Sequence, residues 1–149
     1  MYIKVQEEDF DIAEVNRQLC AGRSDIGAIA SFIGLVRDLP QNRLRKMTLE
    51  HYPGMTEKAL QGIAEKARER WKIIDLAIIH RVGELRPSDQ IVLVSVLSAH
   101  RADAFDACEF IMDYLKTDAP FWKKEVSGQG SKWVKSRKSD IFARKKWDN

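Results

Sequence analysis

Cysteine is scarce. The 149 residues hold only Cys20 and Cys108, and neither stands at a metal-ligand spacing from another cysteine or a histidine. That excludes a disulfide scaffold, argues against a zinc site and suits a reducing cytoplasm. Glycine-rich phosphate loops are missing too: the sequence contains neither GxGxxG nor GxxxxGK[ST], so Rossmann and P-loop nucleotide sites have no support. No apolar run reaches the length of a membrane span, and the opening MYIKVQEEDF carries acids in place of an apolar signal core. Charge of neither sign dominates. Lys and Arg number 25 against 22 Asp and Glu, and a net +3 permits anionic ligands without pointing to nucleic acid. What is present, 44% hydrophobic and 32% charged residues, describes one folded domain over residues 1–149.

Periodicity orders the chain. Residues 2–5 read as a short edge strand. DIAEVNRQLC places Asp11 three positions before Glu14, a capping-box pattern, with Ile12, Val15 and Leu19 on one helical face and Gly22 as the stop. IGAIASFIGLVRD (26–38) is apolar and β-rich, as a buried strand would be, and leads into the polar loop LPQNRLRK. MTLEHY alternates Met47, Leu49 and His51 against Thr48, Glu50 and Tyr52, a two-faced strand. After the Pro53-Gly54 turn, residues 55–71 form a helix. Strands at 73–83 and 90–97 follow, then a helix at 102–116 with Phe105, Cys108, Met112 and Leu115 as its buried stripe. Residues 127–149 form a basic tail, expected to be a strand or loop with a poorly anchored, mobile end. This mixed order, with strands adjacent in sequence, predicts an α+β fold rather than a doubly wound parallel sheet.

Cations gather at element ends. Arg37 closes the first long strand, and His100 and Arg101 sit where a strand turns into a helix. Lys116 ends that helix, and Lys123 and Lys124 follow the Pro120-Phe121-Trp122 corner. A helix N-terminus with an arginine fork suits a phosphate. A lysine pressed against an apolar wall beside other cations loses proton affinity, so either Lys116 or Lys123 could serve as a chemical group. The plainer reading makes His100 and Arg101 solvated, Lys116 a dipole-matching last-turn residue, and Lys123 and Lys124 a solvated pair. His51 and His80 are expected to be satisfied core or edge histidines, and Cys108 a core residue rather than a nucleophile.

GAIASFIGLVRD, LEHYPGMTEKAL, IIHRVGEL, SAHR and FIMDYLKTDAPFWKKE together resemble the large, catalytic subunit of molybdopterin synthase over about residues 25–135. The resemblance implies an α/β hammerhead-type fold, a mixed or antiparallel sheet packed with helices plus a small antiparallel β subdomain. It implies a sulfurtransferase that turns cyclic pyranopterin monophosphate into the dithiolene of molybdopterin, in molybdenum cofactor biosynthesis. Sulfur would come from the thiocarboxylated C-terminal Gly-Gly tail of a small ubiquitin-like subunit, in a heterotetramer built on a homodimer of large subunits. Carried over by position, Arg37, Lys116 and Lys123 line the substrate pocket, with Lys124 and Glu125 flanking. His100 and Arg101 come from the neighbouring subunit, and Lys116 and Lys123 do the chemistry. No metal and no cofactor is implied. The chain ends KKWDN, without Gly-Gly, so sulfur is expected in trans.

Two rival readings stand beside this one. The basic segment 132–146, with Trp133 and Phe142, could bind single-stranded nucleic acid. Alternatively, the chain could dock a ubiquitin-like protein without catalysis.

Overall fold

The computed structural model describes residues 1–38, 44–127, 130–134 and 138–148. The main sheet has the order β1 (Tyr2–Gln6), β4 (Asp75–Arg81), β6 (Gln90–Ser98), β2 (Ala28–Leu35). β1 runs parallel to β4, and the other pairings are antiparallel. A second, fully antiparallel sheet has the order β5 (Gly83–Leu85), β3 (Leu44–His51), β7 (Phe121–Ser127), β8 (Gly130–Val134). Helices α2 (Met55–Arg70) and α3 (Arg101–Asp118) pack on one face of the main sheet, where Leu60, Ile63, Ile78, Val94, Val96, Phe110 and Ile111 form the large core. Helix α1 (Ile12–Cys20) lies on the other face, where Ser95 Oγ donates to Asn16. This is the α+β hammerhead arrangement with its small β subdomain.

Several local expectations need correction. The strand at 26–38 is shorter and forms the sheet edge. Ile29, Phe32 and Leu35 are 45%, 42% and 54% exposed, because β2 pairs with β6 on one side and with nothing described on the other. Asp11 does cap α1, accepting from Ala13 N–H at 2.9 Å, but Glu14 turns away to Arg17 and Gln18 instead of closing the box. Phe105 is 65% exposed, whereas Cys108, Met112 and Leu115 of the expected stripe are buried, joined by Ala104, Ala107, Phe110 and Ile111. The strand read over 73–83 divides near Val82, with β5 beginning at Gly83, whose φ is +85°, and crossing to the second sheet. The loop residues 39–43 lie outside the described residues.

The end of the chain is anchored. Helix α4 (Lys138–Lys145) lies along α3, and Trp147 packs edge-on against Trp71 and Phe110 at centroid distances of 5.5 and 5.6 Å. Its indole N–H donates to Asp113 at 2.7 Å, Arg70 donates to its carbonyl at 2.9 Å, and Lys146 pairs with Glu109. An aromatic with a polar edge meets both its apolar and its hydrogen-bonding needs here.

Candidate active site

The site is built around the corner where α3 ends and β7 begins. Pro120 cannot continue the helix. Phe121 N–H donates to Ala119 C=O at 2.9 Å, which turns the chain sharply into β7. The corner is pinned from α2, where Thr56 Oγ1 donates to the Pro120 carbonyl at 2.9 Å and accepts from Tyr52 N–H at 2.9 Å. Gly54, with φ of +85°, makes the turn that delivers Thr56 there.

From this corner the pleat sorts the side chains. β7 pairs with β3 so that Phe121, Lys123 and Glu125 stand opposite His51, Leu49 and Met47. Directly opposed residues share a face, so Lys123 and Glu125 lie on the side where Met47, Leu49, Val82, Leu85 and Val36 form the small core. Trp122 and Lys124 stand opposite Glu50 and Thr48 on the other face. Lys123 and Lys124, adjacent in sequence, thus serve different faces of the sheet.

Phe121 packs against both cores and stacks on His80, with centroids 3.8 Å apart and planes 18° from parallel. His80 is buried on β4, and its Nδ1 donates to the Arg81 carbonyl at 2.8 Å. Burial pushes its pKa down to about 4. The Arg81 hydrogen bond opposes that shift, and the nearby charges of Lys116 and His51 add to it. Lys116 lies in the last turn of α3, exposed, and near enough for its charge to act on His80. Arg37 reaches that end as well. Val36 is buried in the small core and is held by bonds to Asp89 O and from Ser88 N, which leaves Arg37 exposed beside the cluster that backs Lys123. The chain positions of Arg37 and Lys116 and the start of β7, which carries Lys123 and Glu125, therefore lie toward the same end of the main sheet.

His100 and Arg101 do not. They open α3, and fifteen residues of helix put Arg101 about 22 Å from Lys116. Gly27 sits so close to the Ala99 carbonyl that a Cβ there would lie 2.0 Å from its oxygen, which packs the β6–α3 junction against the start of β2. Ser98 supports this junction by donating to Lys72 C=O at 2.7 Å, while His100 is the N-cap without a side-chain cap bond. Within the single chain, then, the predicted cations fall into two groups at opposite ends of α3.

Thr56 and His80 shape the site, yet sequence reasoning gave neither a role there. Thr56 carries no signal beyond a polar residue within the helix expected over 55–71, and His80 reads as a satisfied core or edge histidine. Burial, with a smaller push from the Glu109 charge, raises the Cys108 thiol to about 12, as befits a core residue. Among the described residues no group of three His, Cys, Asp or Glu stands close enough to hold a metal, and no helix is long and apolar enough to cross a membrane.

The MoaE protein family profile matches residues 5–118. The chain belongs to the MoaE family. A curated MoaE relative from Ralstonia nicotianae, named molybdopterin synthase catalytic subunit, is 59% identical over 97% of this chain and 83% of its own length. The solved MoaE structure from Burkholderia ambifaria superposes with a TM-score of 0.86 at 53% identity, covering 99% of this chain and 98% of that one. The molybdopterin synthase structure from Staphylococcus aureus gives 0.82 at 34% identity over 89% of this chain and 96% of that one. The MoaE fold of this chain therefore carries its cations in the two groups described above.

Proposed function

We propose that this chain is the catalytic subunit of a molybdopterin synthase, a cytoplasmic sulfurtransferase of molybdenum cofactor biosynthesis. It takes sulfur from the thiocarboxylated C-terminal glycine of a small ubiquitin-like subunit and passes it to cyclic pyranopterin monophosphate, forming the dithiolene. The observation that carries the reading is that Lys116, at the end of α3, is close enough for its charge to act on His80, while Lys123 follows Phe121, the ring stacked on His80, on the same face of β7. Two cations at one rigid corner suit a reaction in which an acyl-sulfur terminus meets a phosphorylated pterin.

Each resident group has a role. Lys116 orients the thiocarboxylate and stabilises the oxyanion that develops as the carbon–sulfur bond to the carrier breaks. Lys123 binds the pterin and moves protons as its ring opens and water is lost. Arg37 holds the phosphate. Lys124 and Glu125 flank Lys123, with Glu125 on the same strand face and Lys124 on the other.

His100 and Arg101 complete the phosphate site from a second protomer. β2 has an open edge with exposed apolar side chains, a ready surface for a second copy. β2 runs antiparallel to β6 with Ala28 opposite Ser98, so its first residue lies at the His100 end and its last at the Arg37 end. Two β2 edges paired about a two-fold axis bring the His100–Arg101 end of one protomer alongside Arg37 of its partner. One small subunit on each protomer then makes a heterotetramer.

The test is reconstitution with a thiocarboxylated small subunit and the cyclic pterin, read as dithiolene product. Lys116→Ala and Lys123→Ala are each expected to lose at least about 100-fold in turnover while still binding the small subunit. Near-normal turnover in either variant removes that lysine from the mechanism.

A further inference from the structure

Among the described residues the buried polar side chains are Thr56, His80, Ser95 and Ser98, and His80 is the ionisable one of these. No step of the reaction above uses it. It lies on β4, on the face covered by α3, opposite Val92 and one residue from the end of the strand.

Two contacts fix its ring. Nδ1 donates to the Arg81 carbonyl at 2.8 Å, and because a carbonyl only accepts, the neutral ring carries its proton on Nδ1. The ring plane cannot rotate without breaking that bond. Against this plane lies the Phe121 ring, 3.8 Å away and 18° from parallel. Phe121 is the first residue of β7, and Lys123 is the next residue on the same strand face. β7 is thus held at its start by Thr56 on the Pro120 carbonyl and by His80 on the Phe121 ring.

We propose that His80 is a positioning residue for the sulfur-transfer site: its locked ring sets Phe121, and through Phe121 the direction from which Lys123 approaches the pterin. The inference rests on the proposed role of Lys123. Burial supports it, because a ring that stays neutral adds no further cation beside Lys116. Arg81, the remaining charged neighbour on β4, turns to the other face, where its guanidinium donates to Glu7 C=O and Gln90 C=O.

Two substitutions divide the ring's duties. His80→Phe keeps a stacking partner but cannot donate to Arg81. His80→Asn keeps an N–H close to the position of Nδ1 but has no ring. Both are compared with wild type and Lys123→Ala in the complex with the thiocarboxylated small subunit. The readouts are dithiolene turnover, small-subunit affinity, and the rate at which an amine-selective reagent labels Lys123 relative to Lys58 and Lys72. Each His80 variant is expected to lose about 10- to 100-fold in turnover. Lys123 labelling should shift severalfold while Lys58 and Lys72 labelling and partner affinity stay unchanged, a pattern that general loosening of the fold does not produce. Wild-type turnover in both His80 variants with an inactive Lys123→Ala overturns this inference alone. An active Lys123→Ala overturns the underlying reading. Nitrogen NMR of the wild-type ring provides a check independent of variant folding: a proton on Nδ1 is expected at pH 7, and a proton on Nε2 rules the proposal out.

Discussion

Thr56→Val replaces a fully buried hydroxyl with a methyl of nearly the same volume, so no cavity forms and the change isolates two hydrogen bonds. The Tyr52 N–H loses its acceptor and the Pro120 carbonyl loses its donor. Leaving a buried polar group without a partner costs about 1–3 kcal/mol, so the pair should cost about 3 kcal/mol, since neither peptide group is fully cut off from solvent. For a chain of this length that corresponds to a melting temperature roughly 6–12 °C lower. Differential scanning calorimetry checks the value, and Thr56→Ser, which keeps the oxygen, should cost only about 1 kcal/mol. The corner also carries β7, so Thr56→Val should reduce dithiolene turnover at temperatures where the protein remains folded. A variant that melts within about 2 °C of wild type would refute the claim that Thr56 pins the corner.

Trp147→Ala removes a partly buried indole, its contacts with Trp71 and Phe110, and the bond to Asp113. It should destabilise by about 2–3 kcal/mol in urea unfolding, below the range for a fully buried tryptophan. Acid should weaken the fold through His80. Its folded pKa of about 4 lies below the ordinary 6.5, so the unfolded chain binds a proton that the folded one refuses. Stability therefore falls as the pH drops from 6.5 to 4, by about 3 kcal/mol, and this contribution levels off below 4. His80→Asn should flatten that limb in pH-dependent unfolding. The carboxyls of Asp9 and Asp75 are held below their ordinary range, and the stability they contribute is lost at still lower pH.

The elements with clean periodicity were legible in the sequence. β3 alternates as expected, with Met47 and Leu49 buried. α2 forms where expected, with Leu60, Ile63 and Ala67 buried although Met55 at its start is exposed, and α3 stops where Pro120 requires it. The misreadings have physical causes. An apolar strand looks buried whether its second neighbour is another strand of the same chain or is absent, so β2 gave no sign that it would be an edge. Phe121 to Ser127 carries two aromatics and adjacent lysines, which concealed a strand whose alternation sends Lys123 and Lys124 to opposite faces. Trp147 gave little warning that it would dock on α3, because its partners Trp71, Phe110 and Asp113 are distant in sequence. As for the site, the cation types and their places at element ends could be read directly. Their division into two groups follows from the length of the helix between His100 and Lys116, and the family resemblance implies it by assigning His100 and Arg101 to a neighbouring subunit. What periodicity could not give is the direction in which α3 returns across the sheet, which sets Lys116 beside His80.

That division makes the central claim testable in a single mixture. Lys123→Ala and Arg101→Ala chains, each inactive alone, are co-expressed and assayed with the thiocarboxylated small subunit. If each site draws Lys123 from one protomer and Arg101 from its partner, half of the randomly assorted dimers are mixed and each carries one intact site, so activity should return to about a quarter of wild type. Activity that stays at the level of the separate variants, although mixed dimers form, would contradict a site completed by the second protomer.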